Sequence, residues 1–189
     1  MISMKYSKEY RTDVEFDSNG RAHDKVTYVG PEFELSETEE KHKKNRVMML
    51  AGAILAAVLF VVSVLLYGEI TKKYYVIIPY AINILLIYLD IESIIIYWPV
   101  RERLERMQKE RGIDRAKGMS LMVAIVSFYS FVAGVVTIVC NHTTMLSGDW
   151  CFLVCTLVIS TIMTLSFLYT ISTKPSEIHK NIEKNGDMS

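Results

Sequence analysis

Four long apolar runs, separated by polar segments, set the pattern of this chain: Val47–Tyr67, Tyr74–Trp98, Met119–Cys140 and Cys151–Ile171. Each has about 20 residues or more, the length needed to cross a hydrocarbon core of about 30 Å at 1.5 Å per residue. The connections 68–73 and 141–150 are short, so the runs pair as two antiparallel hairpins. The expected fold class is an all-α membrane protein, an antiparallel bundle of four transmembrane helices. Its spans lie at about 47–67, 74–98, 119–140 and 151–171. The second span is expected to be the one the others pack around, because it alone carries acids. The first run starts more than forty residues in, with no small-residue cleavage pattern close behind it. It therefore reads as a span or signal-anchor and not as a removed signal peptide.

Residues 1–46 have a different period. Thr12–Asp17 and Asp24–Gly30 alternate apolar and polar positions around Ser18-Asn19-Gly20-Arg21, which predicts a β-hairpin over 12–30. A two-residue Asn-Gly loop would oppose Glu15 and Asp24. A three-residue Asn-Gly-Arg loop opposes Val14 with Val26, Glu15 with Lys25 and Thr12 with Tyr28, and is the better register on cross-strand pairing. A lone hairpin is marginal in water, so it is expected to lean on the connection between spans two and three or on a partner. Gly30-Pro31 ends it. Ser36 with Glu39 fits a capping box for a helix running into span one.

Charge adds orientation. Lys+Arg and Asp+Glu balance at 21 each, so net charge gives no reason to expect a nucleic-acid partner. The basic residues gather before span one (Lys41, Lys43, Lys44, Arg46), between spans two and three (Arg101, Arg103, Arg106, Lys109, Arg111, Arg115, Lys117) and after span four (Lys174, Lys180, Lys184). The positive-inside rule then puts both termini and the middle connection in the cytoplasm of a multi-pass cell-membrane protein. The connection 99–117 places Val100, Leu104 and Met107 on one helical face. It also sets opposite charges four apart at Arg101/Glu105, Glu102/Arg106, Glu105/Lys109 and Arg106/Glu110. It reads as a short amphipathic helix ended by Gly112. Arg101, Arg103 and Arg106 are its candidates for anionic lipid head groups, a solvated linker being the plainer alternative. The tail 173–189, with Pro175 after the last span, is expected to be disordered.

Within the spans, Gly52-x-x-x-Ala56 and Ala53-x-x-x-Ala57 allow close helix approach, either inside the bundle or as a homo-oligomer face. Spans three and four are rich in Ser and Thr, which bond their own backbone or a neighbouring helix. In span two, Pro79 is read as a first-turn proline. Thirteen Val, Ile and Leu residues there favour insertion by about 6 kcal/mol. Two central carboxylates would oppose it by about 5 to 7 kcal/mol, so this helix needs neighbours.

The candidate chemistry is sparse. An ionisable residue inside a membrane is a functional hypothesis by default. Asp90, Asn83 and Tyr80 share one face of span two, while Glu92 lies about 200° round from Asp90 at 100° per residue. A paired-carboxylate site is therefore not expected. Asp90 is expected to face the bundle interior, as a proton or cation relay or as a carboxyl bonded to a hydroxyl or an arginine. Glu92 is expected nearer the cytoplasmic edge. Cys140 and Cys151 stand at one end of spans three and four and could close a disulfide, with Cys155 one turn deeper. The Cys151/Cys155 spacing is C-x-x-x-C and not the C-x-x-C of four-span thiol oxidoreductases. His142 has only Asp149 nearby, so neither metal nor cofactor is predicted. Asn141-His142-Thr143 matches the glycosylation acceptor pattern at the membrane edge, where it is expected to stay unmodified.

The block Tyr6…Tyr10…Val14-Glu15-Phe16-Asp17-x-x-Gly20-Arg21…Val26-Thr27-Tyr28-Val29-Gly30-Pro31-x-Phe33, followed by a basic stop and four spans, resembles small four-span membrane proteins of bacteria. The resemblance implies the layout and no activity. The expected function is a non-enzymatic accessory or interaction protein with a cytoplasmic or membrane partner. The alternatives are a small transporter using Asp90, and a membrane thiol oxidoreductase.

Overall fold

A computed structural model of the chain describes residues 4–16, 22–35, 38–66, 68–98, 103–141, 147–173 and 175–178. A 3-10 turn, Met4–Glu9, leads into the hairpin strands β1 (Tyr10–Phe16) and β2 (Ala22–Tyr28), and then into β3 (Glu32–Leu35). Helix α1 (Glu39–Leu65) carries the first span, and a 3-10 turn at Ile70–Lys72 precedes α2 (Tyr74–Tyr97). Strand β4 (Arg103–Glu105), a single turn α3 (Arg106–Gln108) and a π-helical segment (Lys109–Asp114) lead into α4 (Arg115–Asn141). Helix α5 (Ser147–Ser172) and strand β5 (Pro175–Ile178) follow. Four of the helices are long and apolar enough to cross a membrane, which makes this a multi-pass helical bundle.

The four helices pack in a ring. α1 lies beside α2 and α5, and α4 lies beside the same two. The second span is therefore not the hub that its acids suggested. Ile78, Ile82, Leu85, Tyr88 and Ile95 leave one side of it exposed. α5 is the most enclosed helix: 44% of its most apolar stretch is buried, against 28% in α2. Its hydroxyls explain how it tolerates this, because Thr156, Thr164 and Thr170 each donate to a carbonyl of their own helix, and Ser160 donates across to the Ala124 carbonyl of α4. The core joins Phe60, Tyr80, Phe152, Ile159 and Met163, with Tyr80 stacked on Phe60 and edge-on to Phe152. The small residues of α1 serve this packing. Ala53 and Ala56 are fully buried, and Gly52 faces Ser166 and Ile162 of α5.

Outside the bundle, three separate parts of the chain meet at one end. β3 lies at the centre of a three-stranded antiparallel sheet in the order β4-β3-β5, with Phe33 opposite Leu104 and Glu177. Pro175–Ile178 is thus an ordered edge strand and not part of a disordered tail, because β3 has a free edge for it to pair with. The amphipathic helix expected over 99–117 is replaced by β4 and by a helix that starts at Arg106. Glu105 caps that helix in a reciprocal capping box with Gln108. Of the four expected i,i+4 ion pairs, Arg106–Glu110 is present at 2.8 Å; Arg101 and Glu102 lie outside the described residues. Gly112 does not end the helix. It sits buried in the π segment, where an added Cβ would lie 3.1 Å from the Cβ of Tyr97. Leu104 and Ile113 close on Phe33 and Tyr97 beside it.

The hairpin exists, but with its register moved by two residues. Tyr10 faces Tyr28, Thr12 faces Val26, Asp13 faces Lys25 and Val14 faces Asp24. The cause lies at the open end of the hairpin, where Tyr10 and Tyr28 meet edge to face at 5.1 Å. The connecting residues 17–21, which include Asn19-Gly20, lie outside the described residues. So does Ser36; α1 begins at Glu39 after Thr38, with no side-chain cap. Pro79 stands inside α2, past its first turn.

Candidate functional site

The buried face of α2 repeats at helical spacing: Tyr80, Asn83, Ile87, Asp90, Ile94 and Tyr97 are all buried. Three of its polar members, Tyr80, Asn83 and Asp90, find a hydroxyl on a neighbouring helix. Tyr80 shares a short hydrogen bond with Ser63 of α1, which itself donates to the Phe60 carbonyl. Asn83 Nδ2 donates to Ser127 Oγ of α4 at 3.0 Å. Ser120 Oγ of α4 donates to Asp90 Oδ1 at 2.9 Å. Asp90 Oδ2 and Asn83 Oδ1 are buried with no hydrogen-bond partner among the described residues. Such orphans are uncommon in a packed interior. Asn83 and Asp90 stand about two turns apart, about 10 Å along the helix, so they do not share one ligand.

Glu92 turns the other way, as the helical angle requires. Its Oε2 lies 3.3 Å from Arg115 at the start of α4, and its side chain is 40% exposed. Its cation comes from the start of span three; of the basic residues just past Trp98, Arg103 pairs with Glu32 at 3.3 Å. Arg106 pairs with Glu9 at 3.2 Å as well as with Glu110. Both arginines put forward for lipid head groups therefore have acidic partners, while Arg101 lies outside the described residues.

A second polar centre holds the head on the bundle. Tyr6 donates to Glu110 at 2.9 Å, and Tyr10 donates through a short bond to Glu105. Tyr28 lies within reach of the Pro31 carbonyl at 3.0 Å and of Glu9 at 3.2 Å, and accepts from the backbone N–H of Arg106. Burial, chiefly, pushes the Tyr28 hydroxyl up to about 12; the Arg106 N–H opposes this and the Glu9 charge adds to it. Burial and then Glu105 raise Tyr10 in the same direction. Glu110, then Glu9, hold the Arg106 guanidinium above its ordinary value. The hairpin thus leans on the connection between spans two and three.

Two features escape a reading of the sequence. Arg46 of α1 reads as one of the basic residues that set orientation, yet it is buried together with His42 and Asn45. His42 Nδ1 lies 3.3 Å from the Tyr97 hydroxyl. Arg46 donates to the Trp98 carbonyl, with its guanidinium 5.5 Å from the Tyr97 ring centre. Asp149, at the opposite end, is buried and accepts from the Ile70 N–H at 2.9 Å, tying the 68–73 connection to α5. Its signal was faint: an acid in a connection otherwise almost uncharged.

All three cysteines are free thiols, so the Cys140–Cys151 disulfide is not formed. Cys151 and Cys155 sit one helical turn apart, with their sulfurs 3.8 Å from each other. Among the described residues, no group of three His, Cys, Asp or Glu side chains is placed to hold a metal. His142 and Thr143 lie outside those residues.

No protein-family model matches the chain, and no match is found among curated proteins or among solved structures.

Proposed function

We propose that this protein is a non-enzymatic membrane interaction subunit whose water-exposed head, built from the N-terminal arm, the middle connection and β5, docks a partner in the cytoplasm. The observation that carries this reading is the overhang of the hairpin. Its face formed by Tyr10, Thr12 and Val14 with Val26 and Tyr28 is anchored at the tyrosine end. Beyond the anchor, Val14 and Val26 are 57% and 53% exposed in an aqueous segment. Among the described residues, both outer edges of the two-stranded sheet are unpaired, which suits addition of a partner strand. The cytoplasmic placement rests on the basic residues Lys41, Lys43, Lys44, Arg103, Arg106, Lys109, Arg111, Arg115 and Lys117, which all lie at the head end. A photoreactive residue at Val14 or Val26 tests the reading: it is expected to capture one stoichiometric protein in native membranes. Absence of any such adduct, together with a normal phenotype after deletion of residues 1–30, would overturn it.

The orphaned oxygens of Asp90 and Asn83 favour a second reading, a proton- or cation-conducting protein. Flux into liposomes that survives unchanged in Asp90→Asn, or no flux in the parent protein, rules it out.

A further inference from the structure

We infer that α1 and α5 form a binding site for one anionic phospholipid of the leaflet that meets the head. Two grooves run along α1. The first, about 340 Å³, is lined by Glu40, Lys43, Lys44, Val47 and Met48. The second, about 260 Å³, lies between α1 and α5 and is lined by Met48, Ala51, Gly52 and Leu55 with Ile162, Leu165, Ser166 and Tyr169. They meet at Met48. On α1 their residues follow the sequence 40, 43, 44, 47, 48, 51, 52, 55, a single unbroken helical stripe. The upper part of the stripe is charged and the lower part is apolar.

Charge and length both match a phospholipid. Lys43 and Lys44 are exposed, and no acid among the described residues pairs with them; Glu40 at the upper lip leaves the pair one positive charge in excess. This sets them apart from Arg103 and Arg106, whose charges are already met by acids. From Lys44 to Leu55 the stripe runs about 16 Å, close to half the roughly 30 Å hydrocarbon core. The lower groove itself, from Met48 to Leu55, covers about 10 Å of that length, and the charged upper part completes one leaflet. Gly52 in the lining of the lower groove is a point where α1 comes close to α5: an added Cβ would lie 2.9 Å from Ser166 Oγ and 3.2 Å from Ile162. Tyr169 stands at the lip near Met48, at the depth where aromatic residues meet head groups. An acyl chain lies in the α1–α5 groove, and its phosphate sits against Lys43 and Lys44.

Native mass spectrometry of the full chain tests this, using micelles that hold equal phosphatidylglycerol and phosphatidylcholine of matched acyl chains. The parent protein is expected to retain one phosphatidylglycerol in preference to phosphatidylcholine by roughly fivefold, equivalent to about 1 kcal/mol for the one positive charge in excess. Lys43→Gln with Lys44→Gln is expected to erase the preference while some lipid of either kind is still retained. Ala51→Phe, on an exposed position of the groove, is expected to lose both lipids, and Leu165→Phe, which enters the same groove from α5, to do the same. Unfolding temperatures in the same micelles confirm that the variants remain folded. Equal retention of the two lipids by the parent protein overturns the site. So does an intact preference without the lysines, or retention unchanged in both groove-filling variants. Binding of inorganic phosphate that depends on the lysines but not on Ala51 would identify a free-anion site and also overturn it.

Discussion

Asp90 owes its place to one hydroxyl. The bond from Ser120 satisfies one carboxyl oxygen in a bundle interior that offers the other no donor among the described residues. Hydrogen bonds between membrane helices contribute about 0.6 kcal/mol on average and at most about 1.7. Ser120→Ala is accordingly expected to destabilise the bundle within that range, read from unfolding in mixed micelles. If the role is structural, Asp90→Leu combined with Ser120→Ala is expected to lie near the parent stability, because removing both partners leaves nothing unsatisfied. Asp149 works at the other end. Asp149→Ala strands the buried Ile70 N–H and is expected to cost about 1–3 kcal/mol, whereas Asp149→Asn keeps an acceptor and costs less. Both acids were visible in the sequence. Their partners were not, because a hydroxyl thirty residues away and a backbone N–H seventy-nine residues away leave no local pattern.

At the scale of elements, docking of the hairpin carries its own pH signature. Tyr28 has a higher proton affinity in the docked head than in an undocked chain, whose tyrosine loses its proton near pH 10. Its neutral form is therefore favoured by docking. That contribution is fully present below about pH 10 and is lost as pH rises through about 12. Tyrosinate absorbance is expected to show Tyr28 titrating late in the parent protein and near pH 10 once Tyr6→Phe and Tyr10→Phe, which remove the bonds to Glu110 and Glu105, free the hairpin. The same element explains the register. Periodicity placed two strands correctly in kind, yet the choice of loop rested on Asn-Gly alone. The contacts that decided it, Tyr10 against Tyr28 and Glu105, involve a residue 95 positions away. The π segment is a comparable case. Gly112 reads as a helix stop, whereas it serves as a point of close approach to Tyr97. Gly112→Val is expected to cost about 1–3 kcal/mol by overpacking, again measured by unfolding.

Across the whole molecule, the head makes β3 of the N-terminal arm, β4 of the middle connection and β5 one unit. Truncation before Pro175 removes an edge strand from β3, and hydrogen exchange of the Glu32–Leu35 amides is expected to quicken while the bundle stays protected. The exposed Cys140 lies at the end of α4 remote from the head. With the head in the cytoplasm, a membrane-impermeant thiol reagent added to intact cells is expected to label Cys140; labelling only after the membrane is opened would reverse the orientation.

Chain-local physics accounts for what the sequence alone determined. Four runs of about 20 apolar residues can be solvated only by lipid, and a helix is the form in which one run satisfies all its own backbone groups. The stripe from Tyr80 to Tyr97 and the opposed directions of Asp90 and Glu92 likewise follow from 3.6 residues per turn. Tertiary structure alone decided which helices are neighbours, how β5 completes the head sheet, and which polar groups meet: Asp90 with Ser120, Arg46 with Trp98, Asp149 with Ile70. Lipid is as apolar as the side chains it surrounds, so hydropathy drives each helix into the membrane but cannot choose its neighbours. Shape and hydrogen bonding between residues far apart in the chain make that choice.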